Sequence, residues 1–123
     1  MATLTEGNHA GGFLVWETSR DYTRETVTLA SGAGKLAPGT VLGKITTGGK
    51  FTQLTPAASN GSQNAAGILW GAVDATAADA PGVVVLRGPA IVNRNEIVWP
   101  AGATDPQIAA ATTALAALGI LLR

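Results

Sequence analysis

Residues 66–100 read AGILWGAVDATAADAPGVVVLRGPAIVNRNEIVWP, and the way short apolar runs alternate with turn residues here decides the fold class. The runs are Ile68, Leu69 and Trp70; Val83, Val84, Val85 and Leu86; Ala90, Ile91 and Val92; and Ile97, Val98 and Trp99. β-Branched and aromatic runs this short, each bounded by Gly, Pro, Asn or Asp, read as strands of an antiparallel sheet rather than as helices. Pro81-Gly82 reads as a turn dipeptide, because proline presets φ at the second turn position and glycine admits positive φ at the third. Gly88-Pro89 stops the valine strand, since proline has no N–H for a central ladder. Asn93-Arg94-Asn95 is expected to close a hairpin that pairs residues 90–92 with 96–99. Residues 74–79, DATAAD, read as a small-residue connection. The run 83–86 lacks polar alternation and is expected to be covered on both faces.

Upstream, residues 1–12 are polar, rich in Gly and Thr, and carry the only histidine, His9. They read as a flexible arm. Phe13, Leu14, Val15 and Trp16 follow abruptly, either as the first core strand or as a segment that orders on a partner. Thr26–Leu29 alternates apolar and polar and fits a half-buried strand. Ser31-Gly32-Ala33-Gly34 is a flexible connection, Pro38-Gly39 a tight turn, and 40–45 a strand. Gly48-Gly49 turns the chain into 50–54, anchored by Phe51 and Leu54, and 56–65 is a polar loop. Downstream the period changes. Thr104 or Asp105 can cap a helix with Pro106 at its first position. Ile108, Ala111, Leu115 and Leu118 recur at helical spacing, and Gly119 is placed to end the element, at about residues 105–118. Residues 120–122 form a terminal strand or an apolar tail. The expectation is a mainly β (β-rich α+β) fold: a small antiparallel β-barrel or β-clip-like domain over residues 13–123, with one C-terminal helix and a flexible N-terminal arm over 1–12.

At 123 residues the chain is one domain, long enough to bury a core without staples. It has no cysteine, which excludes disulfides, a thiolate nucleophile and Cys-ligated metal. The formal net charge is zero, so no global basic field draws nucleic acid or anionic membrane. Charged residues make up 13% of the chain, against about 25% in an ordinary soluble domain. A surface so poor in charge points to cover by another subunit or partner. The start of the chain lacks the basic and apolar regions of a signal peptide, and the alanine-rich C-terminal segment is too short and broken to span a bilayer. The protein is read as soluble and made in the cytoplasm.

Chemistry-bearing patterns are sparse. His9 sits in a glycine-rich arm with no rigid element to orient it, so a solvated histidine is the simpler reading. Asp74 and Asp79 could pair as carboxylates, but turn acids account for them. GSQNAAG and SGAGK fit neither a P-loop nor a dinucleotide fingerprint. Lys35, Lys44 and Lys50 have too few aromatics beside them for a single-strand binding face. Trp16, Trp70 and Trp99 read as core or subunit-interface residues. No cofactor or metal site emerges. A small β-barrel binding module for carbohydrate or nucleic acid, suggested by the PGTVLGKI hairpin, is the alternative class.

Several stretches together carry a resemblance: TEGNHAGGFL (5–14), LAPGTVLGK (36–44), AAGIL (65–69), VDATAADA (73–80), VWPAGATD (98–105) and ALAALGILLR (114–123). In this order and spacing the chain resembles the head decoration proteins of lambda-like tailed bacteriophages over essentially its whole length. Against the founding lambda protein the similarity lies mainly from Leu36 to the C-terminal helix, and the first third resembles the wider family. The resemblance implies a non-enzymatic, capsid-stabilising homotrimer on the outer surface of the virion. It would bind the major capsid protein at three-fold and quasi-three-fold sites of the expanded icosahedral head, against the pressure of packaged DNA, with no direct contact to nucleic acid or membrane. It also implies an N-terminal arm that orders on the capsid by adding a strand. That places capsid attachment on Thr5, Glu6, His9, Phe13, Leu14, Val15 and Trp16. Trp70, Val83, Val85, Ala111 and Leu115 are the candidates for the trimer contact.

Overall fold

Val84 and Val85 are adjacent, and a strand turns adjacent side chains to opposite faces. Both are wholly buried, so their strand must be covered on both sides. The computed structural model, which describes residues 9–123, shows how. The elements in order are β1 (Leu14–Glu17), α1 (Arg20–Thr23), β2 (Arg24–Leu29), β3 (Gly34–Leu36), β4 (Val41–Lys44), β5 (Phe51–Gln53), β6 (Ala65–Leu69), β7 (Val73–Ala75), β8 (Ala80–Val85), β9 (Ala90–Val92), a 3-10 turn (Arg94–Glu96), α2 (Asp105–Ala117) and β10 (Ile120–Leu122). Strands β2-β5-β4-β6-β8 close a barrel, β1-β9-β10 form a three-stranded sheet, and β3-β7 a two-stranded one. The fold is mainly β with one long C-terminal helix, as expected.

Two cores share the barrel wall. Leu29, Leu42, Phe51, Leu69 and Val84 fill the barrel. Val41, Ile68 and Val85, on the other face of the same strands, pack with Phe13, Val92, Leu115 and Ile120. The second core therefore lies between the barrel wall, α2 and the three-stranded sheet. That is why 83–86 shows no alternation, although Val83 itself is 37% exposed.

Between the named strands the antiparallel expectation holds except at two joins. β2 meets β5 in parallel at Leu29 and Phe51, and β10 lies parallel to β9. Other local expectations are corrected. Pro81-Gly82 is not a turn: both residues lie inside β8, opposite Thr28 and Val27 of β2. β6 reaches only Val84 and Val85, so Pro81 lies beyond that neighbour and its missing N–H costs no ladder bond there. Gly82 sits in a crowded spot, where a Cβ would come 2.7 Å from Leu29 Cδ2 and 3.0 Å from Val73 Cγ2.

Residues 90–92 do not pair with 96–99. β9 is the central strand between β1 and β10, leaving no edge for a hairpin partner. Asn93 instead accepts the Asn95 N–H with its side chain and starts the 3-10 turn. Val98 bridges Thr40 in parallel. The connections expected at 74–79 and 31–34 each overlap a strand: β7 pairs antiparallel with β3, with Asp74 opposite Lys35 and Ala75 opposite Gly34. The short helix α1 falls where the polar, mixed-charge sequence carries no apolar period. The C-terminal helix begins as expected: Thr104 caps it in a full capping box with Gln107, although Asp105 rather than Pro106 holds the first position. Gly119 ends it at φ +87°.

Candidate functional site

The outer strand β1 is the most exposed apolar element. Phe13, just before it, is buried at 2% and anchors the segment in the core. Val15 and Trp16 are 62% and 51% exposed. Two neighbouring side chains emerge together because the pairing with β9 slips between Leu14 and Trp16, which leaves Val15 as the extra residue of a bulge. No strand among the described residues pairs with the other edge of β1; Leu14 N–H donates to the Gly11 carbonyl, and an edge without a partner strand can take a further strand. Leu14 is half-buried against the core.

The register extends this surface. Trp16 lies opposite Ile91, and Ile91 lies opposite Leu121 of β10. Directly opposed residues share a face, so Trp16, Ile91 and the 41% exposed Leu121 make an apolar row across the sheet. Sequence reasoning does not reach Ile91 and Leu121. Their signal is the burial alternation of β9 and β10, which becomes informative only once their mutual pairing is known.

The other attachment candidates divide. Thr5 and Glu6 lie outside the described residues. His9 begins them, and its carbonyl accepts the Gly12 N–H at 2.9 Å. Residues 9–12 are thus not loose: Gly11 N–H also donates to the Trp70 carbonyl at 2.9 Å.

The self-contact candidates divide as well. Val85 and Leu115 are wholly buried and Ala111 is 5% exposed, so these side chains serve the protomer's own core. Trp70 is half-buried. The Arg24 guanidinium carbon lies 3.4 Å from its ring centroid, and Phe13 meets it edge-on at 6.0 Å. Val83 borders a shallow groove of about 330 Å³ with Gly71, Ala72 and Pro81.

Asp74 and Asp79 hold separate turns. Asp74 accepts from the Thr76 hydroxyl at 2.6 Å, which holds its pKa below the ordinary value. Asp79 accepts from Lys50 Nζ at 2.5 Å and from the Ser31 N–H at 2.7 Å. These bonds, the Lys50 one foremost, lower its pKa too. A hollow of about 420 Å³ between residues 53–57 and 100–107 has no titratable side chain in its lining. Among the described residues no cluster of three His, Cys, Asp or Glu could hold a metal, and no helix is long and apolar enough to cross a membrane.

The fold is a closed barrel with an outer strand, β1, and an apolar row beside it, a surface of the kind that can take a partner strand. The model of the bacteriophage lambda head decoration protein D family matches residues 3–120, and the chain belongs to that family. It is accordingly a structural component of a phage capsid. No curated protein matches the chain significantly.

Proposed function

We propose that this protein cements the expanded head of its phage: a homotrimer sits on the outer surface at three-fold and quasi-three-fold sites, grips neighbouring major capsid proteins and opposes the internal pressure of DNA. One observation carries the reading. Val15 and Trp16 stand exposed on a strand whose outer edge pairs with no other strand among the described residues, and that strand directly follows residues 9–13. An extended capsid segment added to this edge would gain main-chain bonds for affinity and side-chain register for specificity. The row through Ile91 and Leu121 would widen the contact.

The contact is weak singly, because fixing chain and side chains at one contact costs conformational entropy. Three arms on one trimer make later contacts intramolecular and raise avidity by about 10² to 10⁴. Expansion acts as the switch, since only the expanded lattice presents three sites at the right separation. The protein is made in the host cytoplasm and reaches the virion by assembly. The test is deletion of residues 1–8. The truncated protein should keep its fold and its trimer and lose binding to expanded, undecorated shells; undiminished binding would contradict the attachment role.

A further inference from the structure

We infer that Trp70 is a positioning residue for the N-terminal arm: together with Gly11 and Arg24 it fixes the direction in which the chain leaves the domain toward residue 1. The inference rests on the attachment role proposed above. Trp70 follows β6, and its N–H donates to the Val83 carbonyl at 2.8 Å, which seats it on the barrel wall. Its carbonyl accepts the Gly11 N–H at 2.9 Å, and Leu14 N–H returns to the Gly11 carbonyl at 3.0 Å. Gly11 packs so closely on the indole that a Cβ there would overlap the ring, and its φ is +67°. Only glycine admits both the contact and the conformation.

The indole is itself held. The Arg24 guanidinium stacks over it at 3.4 Å, within the range of a strong cation–π contact. The same guanidinium pairs with the Glu17 carboxylate at the end of β1, with Nε to Oε2 at 3.2 Å. The Thr23 hydroxyl adds a bond to Glu17 Oε2 at 2.5 Å. One ring thus fixes the root of the arm, and one cation ties that ring to the strand the arm enters. With Gly11 fixed in advance, less freedom is lost at this point of the chain on binding. Trp70 acts in this way without touching the capsid.

Gly11→Ala tests this directly. It should keep the wild-type solution mass and a cooperative thermal transition, somewhat lowered, and weaken binding to expanded, undecorated shells by about two- to thirtyfold per arm, the worth of a contact of this kind. Arg24→Gln should do the same, and Arg24→Lys, which keeps a cation near the ring, should recover part of the loss. The Gly11 amide proton should carry an indole ring-current shift in the wild type and move toward its ordinary position in Trp70→Leu. Wild-type shell affinity in folded Gly11→Ala and Arg24→Gln would overturn the positioning role. The protein lacking residues 1–8 separates the two readings. If it binds like the wild type, the attachment role falls and the positioning role with it; if it does not bind while Gly11→Ala binds at full strength, the positioning role alone falls.

Discussion

Leu115 and Leu118 sit one turn apart at the end of α2, yet one is wholly buried and the other 36% exposed. Leu115→Ala should cost about 2–5 kcal/mol of stability, because it removes buried methyls and leaves a cavity. Leu118→Ala should stay within about 0.5 kcal/mol. Urea denaturation of the two variants measures the difference. Asp79 offers a second test. Its carboxylate is favoured in the folded state by Lys50 and the Ser31 N–H, so its native pKa lies below the ordinary 3.8. The stabilisation is therefore complete above that value and lost as pH falls through the lowered native one. The wild type should lose more thermal stability than Asp79→Asn between about pH 6 and about pH 2. Equal losses would show that the ion pair contributes nothing. The helix start was legible as a cap at Thr104 or Asp105, because capping is local, and the bond between Thr104 and Gln107 settles it on Thr104. The burial of Val84 and Val85 was legible because a strand without polar alternation leaves neither face suited to water.

At the scale of elements, the strands themselves were largely readable and their partners were not. β4, β5, β6, β8 and β9 lie close to the apolar runs. The expected 90–92 to 96–99 hairpin failed because β9 is flanked by β1 and β10, from opposite ends of the chain, and local turn chemistry carries no trace of that. Pro81-Gly82 misled for a related reason. Turn residues were tolerated inside a strand because β6 ends before it reaches them. The exposed part of the site was foreshadowed by the abrupt run at Phe13–Trp16, whereas Ile91, Leu121 and the Arg24–Trp70 contact depend on long-range pairing. The bulge in β1 makes a specific prediction. Val15→Asp adds charge where no core is disturbed, so it should leave the thermal transition nearly unchanged. It should abolish co-sedimentation with expanded shells, because a buried unpaired carboxylate would face the capsid segment. Undiminished co-sedimentation would remove β1 from the contact.

At the scale of the whole molecule, a chain with 13% charged residues and no net charge is suited to burial against its own copies and a shell. For the proposed trimer, Val85, Ala111 and Leu115 are already used within the protomer, so the groove beside Val83 is the surface candidate we propose to test. Val83→Lys should lower the solution mass from three times the 12.3 kDa protomer toward one, as read by light scattering. An intact trimer would exclude that groove. The account's central claim is that three arms act together on the expanded lattice. Its most direct test is quantitative binding of the purified protein to expanded and unexpanded undecorated shells, with affinity and stoichiometry measured in the same titration. The account predicts saturation at three protomers per three-fold and quasi-three-fold site on expanded shells and no saturable binding to unexpanded ones. Equal affinity for both shells, or saturation at one protomer per site, would contradict it.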